Sequence, residues 1–191
     1  MAGKQAKVLT DANITSLLAH ARLSRFPIRN RVIVLLSTKA GLRAGEIAKI
    51  TWEMVLEPTG AVSSILELRN NAAKKGSGRR IPLHDQLRKS LQALRLTSST
   101  TGPIVESERG GPMSPDGIAN WFARTYGSLG LGGCSSHSGR RTFITRSARL
   151  VHRAGGSIRD VQMLAGHRSI EVTQRYIDGD TAAQRKLVSL I

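Results

Sequence analysis

The feature that most restricts the fold is a change of hydrophobic period along the chain. On either side of a short central stretch, apolar residues recur at the three-and-four spacing of a helix face. Only Val62 to Arg69 and Arg80-Ile81-Pro82-Leu83 read as strands. Between them Asn70-Asn71-Ala72-Ala73-Lys74-Lys75-Gly76-Ser77-Gly78 is polar and glycine-bearing, which suits the basic tip of a β-hairpin. The expected class is therefore α+β, mainly α, with one small antiparallel sheet and a hairpin.

Local signals divide the helical parts. Thr10 or Asp11 can cap a helix that carries Ile14, Leu17, Leu18 and Ala21 on one face, and Pro27 breaks it. A second helix holds Val32 to Ala40 and stops at Gly41. A third starts near Leu42 and turns Ile47 and Ile50 inward. Asp85 is placed to cap a helix with Leu87, Leu91 and Leu94, and Ser114-Pro115 is a cap followed by an N1 proline. One more helix is expected from about His137 to Arg153, ending at Gly155-Gly156. Ser157 with Asp160 starts the next, which ends at Gly166, and Ser169 caps a short one through Tyr176. No internal repeat is present.

The charge narrows the partners. Among 191 residues, 29 Lys and Arg stand against 13 Asp and Glu, a net +16, and an excess of that size calls for a polyanion. Nucleic acid is the commonest, and an anionic membrane surface the weaker alternative. Aromatics are only 4%, so a base-stacking platform for single strands is not expected. The lone Cys134 permits neither an internal disulfide nor a cysteine zinc site. The longest strongly apolar run, Val32 to Leu36, is far too short to span a bilayer, and 1–11 lacks the apolar segment of a signal peptide. A cytoplasmic, DNA-associated protein with no membrane partner is expected.

On the helix after Ser136, Arg146, Arg149 and Arg153 share one arc and Phe143, Ile144, Ala148 and Val151 the opposite one. The basic arc reads equally well as a solvated face or as a set of contacts to a backbone of phosphates. Arg140 lies inside the apolar arc, where an unpaired guanidinium is costly, so it either pairs with a carboxylate or awaits an anion. His137 precedes it by three residues. Arg43 follows Gly41, His167 follows Gly166, and Tyr176 lies nine residues beyond His167. Singly, each has a plain structural explanation: a core phenol, a helix cap, a solvated loop cation.

In order, these residues resemble the tyrosine recombinase (phage integrase) family. The segments that carry the likeness are Gly41-Leu42-Arg43 with Glu46, His137-Ser138-Gly139-Arg140-Arg141-Thr142-Phe143, and Leu164-Ala165-Gly166-His167-Arg168-Ser169 followed by Tyr176. The stretch from Lys74 through Arg79 to Ile81-Pro82-Leu83 matches the family's lysine hairpin. The resemblance implies the family's catalytic-domain fold over residues 1–179, with 180–191 as a tail that protomers exchange. It implies a site-specific recombinase or integrase that cleaves and rejoins DNA through a 3′-phosphotyrosyl link, with neither metal nor ATP. Tyr176 would be the nucleophile, Arg43 and Arg140 the clamp on the non-bridging oxygens, and Lys74 the acid for the leaving 5′-oxygen. His137 would handle the tyrosine proton, His167 would hydrogen-bond the phosphate, and Glu46 would buttress the arginine and histidine side chains. Lys75, Arg79, Arg141, Arg146, Arg149, Arg153, Arg168 and Arg175 are the candidate DNA contacts. The partners implied are double-stranded DNA, further copies of the chain in a tetrameric synapse, and accessory DNA-bending proteins; no cofactor is implied.

The chemistry is consistent with those roles. A phenol titrates near 10 and needs a cationic surround and a base to attack at neutral pH. Charge gathers on the equatorial oxygens of a phosphorane-like transition state, where planar guanidiniums bind it bidentately. Two departures from the family pattern stand out: Gly139 occupies the usual leucine position and Arg141 the usual histidine position. Only 42 residues precede Arg43, room for two helices, which suggests a single-domain member of the size that inverts fimbrial promoters or an isolated catalytic domain. The alternatives are a non-catalytic helix-turn-helix regulator built on 157–178 and a type IB topoisomerase-like enzyme.

Overall fold

The computed structural model describes residues 6–73, 76–98, 101–176, 185 and 188–191. Helix α1 (Asp11–Arg22) is capped by Thr10, whose hydroxyl accepts from Asn13 N–H at 3.1 Å while the Asn13 side chain accepts from Thr10 N–H at 3.1 Å. Of the two capping candidates the hydroxyl is the one used. Helix α2 (Pro27–Lys39) begins on Pro27, so the proline does not merely end α1 but opens the next helix at N1, where its missing N–H costs nothing.

The run Val32 to Leu36 is buried on every side because α2 is the central helix. It packs against α1, against α4 (Asp85–Arg95) and against α6 (Ser138–Leu150). Helix α3 (Ala44–Ile47) follows the left-handed Gly41, where φ is 65°. Helix α5 (Pro115–Ser128) is capped by Ser114, which accepts from Gly117 N–H at 3.0 Å, and packs on α3. At α4 the expectation fails by one residue: His84 is the cap, its Nδ1 accepting from Gln86 N–H at 3.2 Å, and Asp85 is the first helical residue. A histidine ring at that position supplies the same acceptor a carboxylate would, one residue earlier.

Strands β1 (Ile65–Leu68) and β2 (Arg79–Pro82) pair antiparallel, with Leu66 opposite Ile81 and Glu67 opposite Arg80. Leu66, Leu68 and Ile81 face the core, while Arg80 and Glu67 form an exposed ion pair at 3.2 Å. Val62 lies outside the strand in an isolated bridge to Leu56. Lys74 and Lys75 fall outside the described residues.

Helix α6 is shorter than the spacing suggests and passes into a 3-10 turn at His152–Ala154 before Gly155, which takes the left-handed conformation. Helix α7 (Ile158–Ala165) ends on left-handed Gly166, and α8 (Ile170–Gln174) is five residues long. An α8 that short, with His167 leading into it, differs from the free second helix a helix-turn-helix regulator would present. The apolar residues form two clusters. A large one surrounds α2, and a small one comprises Ile144, Ala148, Val151, Val161 and Ala165, with Phe143, Ile158 and Tyr176 at its edge. The two meet where α6 crosses α2. There Gly139 is indispensable, since a Cβ would collide with the Ser37 hydroxyl. The glycine in place of the family's leucine is thus explained by the close approach of α2 and α6. Among the described residues no helix is long and apolar enough to cross a membrane.

Candidate active site

An open cleft of about 460 Å³ is lined by Arg43, His137, Arg140, Arg141, His167, Arg175 and Tyr176. Three chain reversals bring them together. Gly41 turns the chain so that Arg43 becomes the N-cap residue of α3. A Cβ at Gly41 would strike the Phe143 ring, so the same glycine admits α6. His137 is the N-cap residue of α6 and is exposed at the cleft rim. Gly166 ends α7 and directs His167 back toward α6.

Glu46 anchors one wall. Its side chain is 1% exposed and accepts from Arg43 NH1 at 2.9 Å and from the Arg43 backbone N–H at 2.9 Å. Arg79 closes on the same carboxylate with both terminal nitrogens, at 3.1 Å each, and its Nε donates to Leu164 O at 2.9 Å. Burial raises the Glu46 pKa, but the Arg79 hydrogen bonds and charge, joined by Arg43, outweigh it and hold the carboxyl at about 2. The second arm of this buttress is Arg79.

Arg140 is 3% exposed, and of the two fates expected for it, pairing with a carboxylate is not the one found. Among the described residues no carboxylate pairs with it. NH1 donates to Gly41 O at 2.7 Å, and NH2 donates to Ala165 O at 2.7 Å and lies 3.0 Å from His167 Nε2. Burial, then the neighbouring Arg43 charge, lowers its pKa to about 10, which leaves it cationic at neutral pH. Among the described residues three of its five N–H hydrogens are engaged, which leaves Nε–H and one terminal hydrogen for an anion.

His167 is neutral. Burial and the charges of Arg140, Arg43 and Arg79 bring its pKa down to about 4. Nδ1 sits 2.9 Å from Thr173 Oγ1, and Gln162 Nε2 donates to the His167 carbonyl at 3.0 Å. The Tyr176 ring stacks on the imidazole with centroids 5.5 Å apart and planes 21° apart. The Tyr176 backbone is fixed by its N–H on Thr173 O at 3.0 Å and by Thr145 Oγ1 on its carbonyl at 3.4 Å. The other tyrosine, Tyr126, is buried against Phe122 with no hydrogen-bond partner for its hydroxyl among the described residues, and burial pushes its pKa far up. Tyr176 is the phenol that a reactant in the cleft can meet.

The candidate DNA contacts separate on inspection. Arg141 and Arg175 line the cleft. Arg168 lines an adjoining groove with Arg80 and Arg159, and Arg149 and Arg153 are exposed. Arg79 is not a surface contact: its side chain is 5% exposed and spent on Glu46 and Leu164. The strand period signals this, since Arg79 lies two residues before core-facing Ile81 and shares its face. Arg146 is also committed, to Asp11 Oδ1 at 2.6 Å and Leu9 O at 3.2 Å, and so ties α6 to the start of α1. Thr173 and Gln162, which hold His167, carry no signal in the sequence beyond being polar residues in short amphipathic helices.

Comparison with known proteins agrees with this geometry. A family model described as the phage integrase family matches residues 7–182. The chain is 28% identical over 155 residues to Tyrosine recombinase XerC of Methylobacterium sp. (strain 4-46), a match that covers 81% of this chain and 47% of that protein. It therefore spans about half the length of the curated relatives it matches. The crystal structure of XerA recombinase superposes with a TM-score of 0.72 at 23% identity, covering all of this chain and 65% of the other. The Tn1549 transposon integrase in complex with a circular intermediate DNA gives 0.70 at 19% identity, covering 97% of this chain and 67% of the other. At such identities these two likenesses establish the fold.

Proposed function

The chain belongs to the phage integrase family, and from that premise we propose that it cuts and rejoins duplex DNA at specific sites, with Tyr176 as the nucleophile. The observation that carries the reading is Tyr176 stacked on His167 inside a cleft walled by Arg43 and Arg140. A scissile phosphate seated there meets guanidiniums whose positions are preset by Glu46, Gly41 O and Ala165 O. Their charge is thus organised before the reaction rather than during it.

In the proposed step the Tyr176 oxygen forms a bond to phosphorus as the bond to the 5′-oxygen breaks. His137 takes the phenolic proton, and Lys74 gives one to the leaving 5′-oxygen. Arg43 and Arg140 hold the non-bridging oxygens, and His167 hydrogen-bonds one of them. The 3′-phosphotyrosyl ester keeps the bond energy, so a 5′-hydroxyl rejoins by the reverse step without ATP. Protein cations supply the charge stabilisation, and the scheme requires neither metal nor cofactor.

Residues 1–179 are the catalytic domain in this reading, and 180–191 the tail. Arg141, Arg175, Arg168, Arg149 and Arg153 engage the DNA backbone. The working assembly is a tetrameric synapse on double-stranded DNA in the cytoplasm, aided by DNA-bending accessory proteins.

The test uses a nicked duplex whose site has been selected by binding from random-sequence DNA. The wild-type protein should give a covalent protein–DNA species in the presence of EDTA. Tyr176→Phe should bind the duplex and give none, whereas Tyr126→Phe should keep the adduct. An adduct that survives Tyr176→Phe would overturn the assignment. Strand exchange between two duplexes, rather than relaxation alone, separates a recombinase from a topoisomerase.

A further inference from the structure

The His167 ring is held on both edges, and the two holds differ in kind. Arg140 NH2 lies 3.0 Å from Nε2, and a guanidinium can only donate. In the unbound protein Nε2 therefore carries the lone pair, and Nδ1 carries the ring proton, aimed at Thr173 Oγ1 at 2.9 Å. In this state His167 has no hydrogen to offer the cleft. A DNA phosphate reverses the requirement, because its oxygens only accept. To bind one, the ring must present Nε2–H, and Nδ1 must then receive a hydrogen from its own partner. A carbonyl or carboxylate opposite Nδ1 would fix the first state. A hydroxyl both accepts and donates, and so serves either one.

We propose that Thr173 is a positioning residue of the strand-cleavage step, whose hydroxyl holds His167 in the Nδ1-protonated form before DNA binds and in the Nε2-protonated form once a phosphate fills the cleft. The inference rests on the reading of this cleft as a DNA-cleaving site. The exchange leaves the ring neutral: with the His167–Thr173 contact transiently open, water in the cleft gives a proton to Nε2 and takes one from Nδ1, and on reclosing the Thr173 hydroxyl donates where it had accepted. Arg140, released from the imidazole, gains the phosphate as a stronger acceptor.

The surroundings favour this route over a doubly protonated ring. Arg140, Arg43 and Arg79 all oppose positive charge on His167, and among the described residues Glu46 is the carboxylate that favours it. Thr173 is fully buried, so bulk water does not reach its hydroxyl while the contact is closed. The residue also accepts the Tyr176 N–H on its carbonyl at 3.0 Å, so the same side chain and backbone that orient the imidazole orient the nucleophile stacked upon it.

Thr173→Val keeps the shape and removes the hydroxyl; Thr173→Ser keeps the hydroxyl. In single-turnover cleavage of the selected nicked duplex, T173V should be slower by on the order of 10–100-fold with DNA affinity within about twofold of wild type, while T173S restores most of the rate. A packing defect alone would lower the melting temperature of T173V and would be worse in T173S, which has the smaller side chain. The direct readout is the 15N spectrum of labelled histidine in Tyr176→Phe protein. Adding the intact selected duplex should move the His167 proton from Nδ1 to Nε2, and Thr173→Val in that background should abolish the clean switch. Cleavage by T173V at the wild-type rate, a ring that keeps Nδ1–H on DNA, or one that gains protons on both nitrogens would overturn the proposal. If the wild-type protein forms no Tyr176 adduct while the ring still switches, the reading of the reaction fails and the role of Thr173 toward the phosphate stands.

Discussion

The Glu46 carboxylate, buried and gripped by Arg43 and Arg79, shows how one side chain fixes the charge balance of a site. Its folded pKa of about 2 lies below the ordinary 4.5, so the group stabilises the fold above the ordinary value and loses that contribution as pH falls through the folded one. The gap corresponds to roughly 3 kcal/mol at neutral pH. Glu46→Gln should therefore lower unfolding free energy markedly at pH 7. In urea titrations run at several pH values, the difference between wild type and variant should narrow between about pH 4.5 and pH 2, because the wild-type group is then neutral too. A difference that stays constant across that window would mean that the carboxylate charge carries none of the effect. Arg140 illustrates the complementary device. Its fixed partners are carbonyls that cannot neutralise it, so it is immobilised without losing its charge.

At the scale of elements, the hairpin is coupled to the rest of the site through Arg79. From β2 this side chain reaches Glu46 beside α3 and Leu164 O in α7, so three segments share one guanidinium. Its packing requires Gly166, where a Cβ would come within 2.9 Å of the guanidinium. Strand β2 is thereby anchored at Arg79, five residues after the lysine expected to serve as acid. That assignment yields a selective test. Lys74→Ala should slow cleavage by about 10² to 10⁴, the cost of a lost general acid, and should be rescued by sulfur at the 5′-bridging position, which leaves without a proton. Arg43→Ala and Arg140→Ala, whose charges act on other oxygens, should gain much less. Rescue of Lys75→Ala instead would shift the assignment by one residue.

For the molecule as a whole, the net +16 is distributed so that part of it braces the fold and part faces outward. Arg79 is an internal strut and Arg146 a surface tie to Asp11, whereas Arg149, Arg153 and Arg168 are exposed. At the far end of the chain Val188, Leu190 and Ile191 are 69%, 76% and 102% exposed. Apolar side chains left so open gain from burial against another surface, at about 25 cal/mol per Å². A second protomer in the synapse is the surface proposed for them. Deleting 182–191 should impair synapsis, followed by bridging of two labelled duplexes, more than binding to a single site. Equal loss of both, together with a lower melting temperature, would show that the tail packs on its own chain.

Period and punctuation in the sequence determined which segments are helices, where the single hairpin lies, and which glycines end or turn elements. Local sterics and hydrogen bonding suffice for that, and Ser114-Pro115, Ser157 with Asp160, and Gly166 are legible without any partner. The order of Arg43, His137, Arg140, His167 and Tyr176 was likewise legible as a family pattern. What the sequence alone left open was how the charges are shared out. Arg140 had two expected fates, and the sequence could not show that two backbone carbonyls from segments 99 and 25 residues away would hold it in place of a carboxylate. Arg79 and Arg146 read as DNA-facing cations and proved to be committed to ion pairs, because their acceptors, Glu46 and Asp11, come from 33 and 135 residues away. Gly139 read as a departure from pattern and became a necessity only where α2 crosses α6. Hydrogen bonds and close contacts of this kind depend on distances that exist only after distant segments meet, so only the tertiary structure could decide them.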